Sequence, residues 1–238
     1  MTTTLVAASH GTSVPAARAS ITALVDAVQE ASPRLDVREA FVDVQQPQVG
    51  RVLRDVAGPT VVVPLLLAPG FHVHVDIQHA VDRTTAVAAG TLGPDPRLTD
   101  VLIDRLAQAG ATPDDVIVLG AAGSTDARAL RSVDAAARML GAAWGSPVPV
   151  GHVGGSGTPI GEIVRDMSRA GRRVVVASYL MAPGFFFDRL QRCGADVVTR
   201  PLLDGLDVDP AMVALVLDRF TEAAATLDHA AVIGAGGM

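Results

Sequence analysis

The chain repeats itself, and that repetition constrains its fold more than any other feature. Ala-Pro-Gly-Phe stands at 68–71 and again at 182–185, each time closing an apolar run rich in β-branched residues. The first run reads VVVPLLLAPGF and ends at Phe71; the second reads VVVASYLMAPGF and ends at Phe185. PDPRLTDVLIDRL is echoed by VDPAMVALVLDRF, and Ser-His-Gly at 9–11 finds its counterpart in Ala-Ala-Gly at 121–123. Internal similarity over a period this long implies two structurally similar units in tandem. The stretch Thr112-Pro113-Asp114 separates them. It is short and polar, a junction rather than a flexible linker, and it divides the chain into units 1–112 and 113–238.

Within each unit, short apolar runs alternate with longer segments of helical periodicity. TVVVPLLL at 60–67 and RVVVASY at 173–179 read as buried strands. Pro15 to Ala31 reads as a helix with Ala17, Ile21, Leu24, Val25 and Val28 on one face. A further helix is predicted from Val73 to Ala88, followed by a weak fourth strand near Thr91. Alternation of this kind specifies parallel sheets with right-handed crossovers and flanking helices. The expected fold is therefore α/β: two tandem similar units, each a small four-stranded parallel sheet flanked by helices, with a cleft between them. Apolar residues make up 49% of the chain and aromatics only 3%, which suits close helix-on-sheet packing.

Charge and cysteine content exclude several functions. A formal net charge of -6 without any basic run gives no footprint for nucleic acid. The single cysteine, Cys193, rules out an internal disulfide and a cysteine cage for metal. No apolar run reaches the length of about 18 residues that a membrane-spanning helix needs, and the start MTTTLVAASHG lacks the pattern of a secretory signal. A cytoplasmic protein is expected.

In open parallel sheets, ligands bind beyond the carboxyl ends of the strands. His10 follows the first strand, Asp43 lies near the end of the second, and His72 lies just past the third, so the topology converges all three on one rim. Two imidazoles and a carboxylate suit a borderline divalent ion such as Fe²⁺, Co²⁺ or Zn²⁺. They equally suit proton abstraction near neutrality.

Three segments carry a family resemblance: SHGT at 9–12, AFVDVQQPQV at 40–49 and VVVPLLLAPGFHVHVDI at 61–77. Together, in this order, they resemble the class II tetrapyrrole chelatases, specifically the sirohydrochlorin and cobalt-precorrin chelatases in their long two-unit form. The resemblance implies insertion of Fe²⁺, slightly favoured, or Co²⁺ into a tetrapyrrole on the way to sirohaem or cobalamin. His10 and His72 would bind the metal and act on pyrrole protons, with Asp43 as acidic helper. The metal arrives as substrate, no cofactor is permanently bound, and the small-molecule tetrapyrrole is the partner. Because one chain holds both walls of the cleft, a monomer is expected.

Departures from the family pattern are informative. Asp43 stands where Glu is usual, Ser13 where Arg is frequent and Gln78 where Pro is usual. In the second unit Ala122 falls at the place of His10, Phe186 at that of His72 and Gly154 near that of Asp43, so a single active site is expected. Phe185, Phe186 and Phe187 are candidates for an apolar wall, His152 for a cleft-facing strand end, and Arg51, Arg54 and Arg83 for substrate carboxylates. Two other readings compete. A non-catalytic tetrapyrrole or metal carrier would use the same residues for binding alone. A histidine phosphatase would use His10 as nucleophile, but Ser9 stands where that chemistry needs an arginine to hold phosphate.

Overall fold

A computed structural model describes residues 3–169, 171–205 and 207–235, with side chains described except at 71–75 and 228–235. In the first half, strands β1 (Thr4–Ser9), β2 (Asp36–Phe41), β3 (Thr60–Pro64) and β4 (Val87–Ala88) alternate with helices α1 (Pro15–Ala31), α2 (Val49–Asp55), α3 (Phe71–Val81) and α4 (Pro96–Gln108). The second half repeats the order with β5 (Val116–Ala121), α5 (Ala127–Trp144), β6 (Val150–His152), α6 (Ile160–Ser168), β7 (Val174–Tyr179), α7 (Phe185–Leu190), β8 (Val197–Val198) and α8 (Pro210–Ala235). Each half forms one parallel four-stranded sheet, in the orders β2-β1-β3-β4 and β6-β5-β7-β8. The expected fold class is the one observed.

Strand alternation sorts side chains between two layers. Leu5 and Ala7 of β1, with Val61 and Val63 of β3, face a core they share with Ile117 and Leu119 of β5 and Val175 and Ala177 of β7. Val6, Ala8 and Val62 face outward against Val52 and Leu53 of α2 and Ile77 of α3. Val118, Val174 and Val176 do the same against Ile160 and Val164 of α6 and Leu190 of α7. Helices α1, α4, α5 and α8 thus form a middle layer between the two sheets.

That middle layer is exchanged between the halves. Helix α4 closes the first half in sequence, yet it packs on α5 and on β7 of the second sheet. Helix α8 closes the second half, yet it lies over β3 and β4 of the first sheet and beside α1. Polar contacts fix the exchange. Asp95 caps α4 by accepting from the Arg97 backbone N–H at 3.1 Å, and it pairs with the side chains of Arg97 at 2.9 Å and of Arg219, on α8, at 3.1 Å. Arg219 also donates to the carbonyl of Thr91 at 2.9 Å. At the other end of α4, Arg105 pairs with Asp204 at 3.1 Å and donates to the carbonyls of Pro201 and Leu202.

Two elements differ from the sequence expectation. Helix α3 stops at Val81 rather than Ala88. The Thr84 backbone N–H and hydroxyl both donate to the Val81 carbonyl, and the same hydroxyl accepts from the Ala86 N–H, so the chain turns where the apolar pattern alone would continue. The fourth strand is consequently Val87–Ala88 and not a segment near Thr91.

Burial alone would raise the pKa of Asp95, but hydrogen bonds and charge from Arg97, with the charge of Arg219, outweigh it and hold the carboxyl below its usual range. Its contribution to stability is therefore full above the unfolded carboxylate pKa of about 4 and is lost as pH falls through the lower folded value. Replacing Asp95 with Ala removes a helix cap and leaves two arginines without their shared counter-charge. We expect a loss of about 3 kcal/mol at pH 7 by urea denaturation. Asp95→Asn should lose less at pH 7 and show a shallower fall in stability below pH 4 than the parent.

Candidate functional site

The loops that leave the carboxyl ends of both sheets meet at a cleft of about 400 Å³. Ser9, His10, Thr12, Gln45 and residues 65–68 line it from the first half. Residues 121–124, His152 and Tyr179 to Phe186 line it from the second. Most of these residues are apolar, so polar groups in the cleft are few and their commitments decide what it can do.

His10 is placed by a backbone lacing between two loops. The Val42 N–H donates to the Ser9 carbonyl at 2.9 Å and the Asp43 N–H to the His10 carbonyl at 3.0 Å. Gly11 has a φ of 89° and packs so closely on the Asp43 carbonyl that no Cβ fits. The Thr12 N–H donates to Gln45 Oε1 at 2.8 Å. The second half is laced in the same way. Val153 and Gly154 donate to the carbonyls of Ala121 and Ala122, both at 2.9 Å, and Gly123 has a φ of 93° against the Gly154 carbonyl. One scaffold thus occurs twice, carrying His10 and Asp43 in one copy and Ala122 and Gly154 in the other.

Of the residues singled out in the sequence, His10 is exposed and lines the cleft. Asp43 sits beside it through the backbone, but its carboxylate accepts from the Val44 N–H at 2.8 Å and is not part of the cleft lining. Val44 has a φ of 57°, which for a β-branched residue costs about 1–3 kcal/mol; the strain is stored in the loop that holds Asp43. His72 falls in the first turn of α3, next to the cleft-lining Gly70. Its side chain, like that of His74, lies outside the described residues. Among the described residues, no group of three or more His, Cys, Asp or Glu side chains is assembled to hold a metal. Arg51, Arg54 and Arg83 are exposed and do not line the cleft.

At the mouth, Phe185 and Phe186 meet edge to face with centroids 5.4 Å apart and remain 62% and 44% exposed. Large rings this open to water form a ready apolar surface for a flat ligand. Phe187 instead packs against the core behind. Arg189 lies over the Phe185 ring at 5.5 Å.

Gln45, Tyr179 and His152 also bring polar groups to the cleft lining. Gln45 was not expected from the sequence; it follows Asp43 in the same loop and reaches the cleft where Asp43 does not. Tyr179 was read only as the end of a strand. It is buried, its hydroxyl donates across the halves to the Leu67 carbonyl at 3.4 Å, and burial pushes its pKa up. His152 is 6% exposed, its Nδ1 is buried without a hydrogen-bond partner, and burial pushes its pKa down against a small opposing pull from Asp134. Leaving such a nitrogen unpaired costs about 1–3 kcal/mol.

A family model described as CbiX matches residues 4–109 and, a second time, residues 116–223. Among solved structures, SirB from Bacillus subtilis with Fe³⁺ aligns with a TM-score of 0.80 at 19% identity, covering 96% of this chain and 98% of that one. The sirohydrochlorin chelatase SirB from Bacillus subtilis subspecies spizizenii in complex with cobalt aligns with a TM-score of 0.75 at 17% identity, covering 94% and 96%. CbiX, described as the terminal enzyme for biosynthesis of siroheme in denitrifying bacteria, aligns with a TM-score of 0.66 at 20% identity, covering 94% and 99%. No curated protein matches the chain by sequence.

The two laced glycines provide a paired test of the scaffold. Gly11→Ala and Gly123→Ala should each lower unfolding stability by about 1–3 kcal/mol. Only Gly11→Ala should shift the His10 imidazole resonances in a histidine NMR spectrum; an equal shift from Gly123→Ala would mean that the two lacings are not independent.

Proposed function

The chain belongs to the CbiX family, and from that premise we propose that it is a sirohydrochlorin chelatase, a lyase-type enzyme that inserts a divalent metal into the free tetrapyrrole. The observation that carries this reading is a two-walled apolar cleft whose lining includes His10, on the one laced loop that keeps a histidine. Insertion requires two pyrrole N–H protons to leave and a partly dehydrated cation to be handed to the ring nitrogens. An open site with few ligands does this better than a closed cage, which would retain the ion.

His10 and His72 take the metal and act on pyrrole protons, and Asp43 supplies a carboxylate to the same rim. Three facts support this assignment. His10 lines the cleft, the Asp43 backbone is bonded to that of His10, and His72 occupies the first turn of the helix that starts at the cleft edge. The metal is a substrate and no resident cofactor is required. Fe²⁺ is favoured slightly over Co²⁺ in this reading; of the solved relatives, one SirB is described with Fe³⁺ and another in complex with cobalt. With both walls in one chain, the enzyme works as a monomer. Among the described residues no helix is long and apolar enough to cross a membrane, which accords with work in the cytoplasm.

Anaerobic absorbance spectroscopy of sirohydrochlorin with Fe²⁺, Co²⁺ or Ni²⁺, compared with the spontaneous rate, tests the activity. We expect acceleration with at least one metal and a loss of about a hundredfold or more in His10→Ala and in His72→Ala. Undiminished turnover in His10→Ala would remove the site assignment. A shifted spectrum without turnover for any metal would make the protein a carrier.

A further inference from the structure

Phe41 ends β2 in the first half, and His152 ends β6 at the same place in the second. The registers Ser9↔Phe41 and Ala121↔His152, and the bridges Phe41↔Gln48 and His152↔Pro159, make the two positions equivalent. Both side chains are buried. An apolar ring satisfies this position in one half, so the fold does not require an imidazole there. The second half nevertheless keeps one, with Nδ1 unpartnered. The ring also lines the cleft, which Phe41 does not.

The neighbouring polar groups of that wall are already engaged. Ser124 Oγ accepts from the Asp126 N–H at 3.0 Å, and the Tyr179 hydroxyl is bonded to Leu67. His152 also borders a second cavity of about 630 Å³ behind the cleft, bounded by Arg165 of α6 and by Arg189, Arg192 and Cys193 of α7 and the turn after it. His152 therefore borders both the cleft and a second cavity, with its ring packed against Gly157.

We propose that His152 is a further catalytic base of the cleft, set in the second-half wall opposite His10, accepting one of the two pyrrole N–H protons that leave as the metal enters. This inference rests on the chelatase reading. The N–H bond breaks and its electron pair stays on the pyrrole nitrogen, where it becomes the donor pair of the metal–nitrogen bond. The proton passes to an unprotonated nitrogen of His152 and from there to water in the second cavity. Burial keeps the imidazole neutral, so it is ready to accept. Among the charged groups, Asp134 on α5 favours the imidazolium, while Arg165 of α6, Arg189 of α7 and Arg192 of the turn after it line the cavity that receives the proton. His10 stands in the first-half wall of the same cleft, so the two protons can leave from opposite walls.

The test uses His152→Phe, which installs the residue of the equivalent first-half position, and His152→Gln, which keeps a hydrogen-bonding group but cannot act as a base. Insertion rates at saturating sirohydrochlorin are measured across pH, together with the Kd of the metal-free ligand by absorbance titration and the thermal midpoint. The expected result is a fall in turnover of about a hundredfold in both variants, a Kd within about twofold of wild type, and loss of one acid-side ionisation from the pH–rate profile. His152→Phe should melt no lower than wild type, since it removes an unpaired buried nitrogen. Wild-type turnover in His152→Gln would overturn the base, as would a change confined to Kd. Absence of acceleration by the wild-type protein overturns the chelatase reading itself, and is seen before any substitution is compared.

Discussion

The exchange of α4 and α8 between the two sheets is the constraint on which the rest of the molecule depends. A cleft between two parallel sheets is useful only if its walls hold a fixed separation. Here the separation is set by packed helices rather than by a hinge: α4 lies on β7, α8 lies on β3 and β4, and the Asp95–Arg97–Arg219 cluster joins them at the crossing point. Tyr179 adds a tie at the cleft itself, through the Leu67 carbonyl. Opening the walls would mean separating apolar surfaces in the shared core, a cost of many kcal/mol. Ligand entry therefore depends on the exposed rim, where Phe185 and Phe186 stand, more than on movement of the halves.

Duplication lets one scaffold serve two purposes. The hydrogen bonds that lace His10 to Asp43 recur around Ala122 and Gly154 without their chemistry, so the second copy retains geometry while its side chains are released to other uses. The four compared positions differ in a consistent way. Where the first half has His10, Asp43 and His72, the second has Ala122, Gly154 and Phe186; where the first has the buried Phe41, the second has His152. The second half is therefore not simply an eroded copy.

Much of this was legible in the sequence because duplication and β-branched runs are strong signals. The APGF repeat marked both third strands, and the pairing of Ser-His-Gly with Ala-Ala-Gly aligned His10 with Ala122 in the register the hydrogen bonds later displayed. Strand-end topology placed His10 at the cleft without any knowledge of tertiary contacts. Other features were hidden for physical reasons. The end of α3 depends on one Thr84 hydroxyl competing for a backbone carbonyl, which an apolar pattern does not register. The exchanged helices were invisible because α4 and α8 bury the same kind of face whichever sheet they cover. Asp43 illustrates the limit of motif reasoning: its position was marked, but the direction of its carboxylate is set by a bond to the next residue's N–H. His152 ended a strand in the expected manner, yet only burial and a missing partner distinguished it from a structural histidine.

The placement of α8 also bears on how the chain is made. Strands β3 and β4 leave the ribosome well before the helix that covers them, with the entire second repeat synthesised in between. Until the C-terminal segment emerges, the inner face of the first sheet, including Leu5, Val61 and Val63, has lost part of its permanent cover and must be shielded by transient contacts or chaperones. Neither repeat can mature by itself during translation, so a truncated nascent chain is an aggregation hazard rather than a half-sized protein.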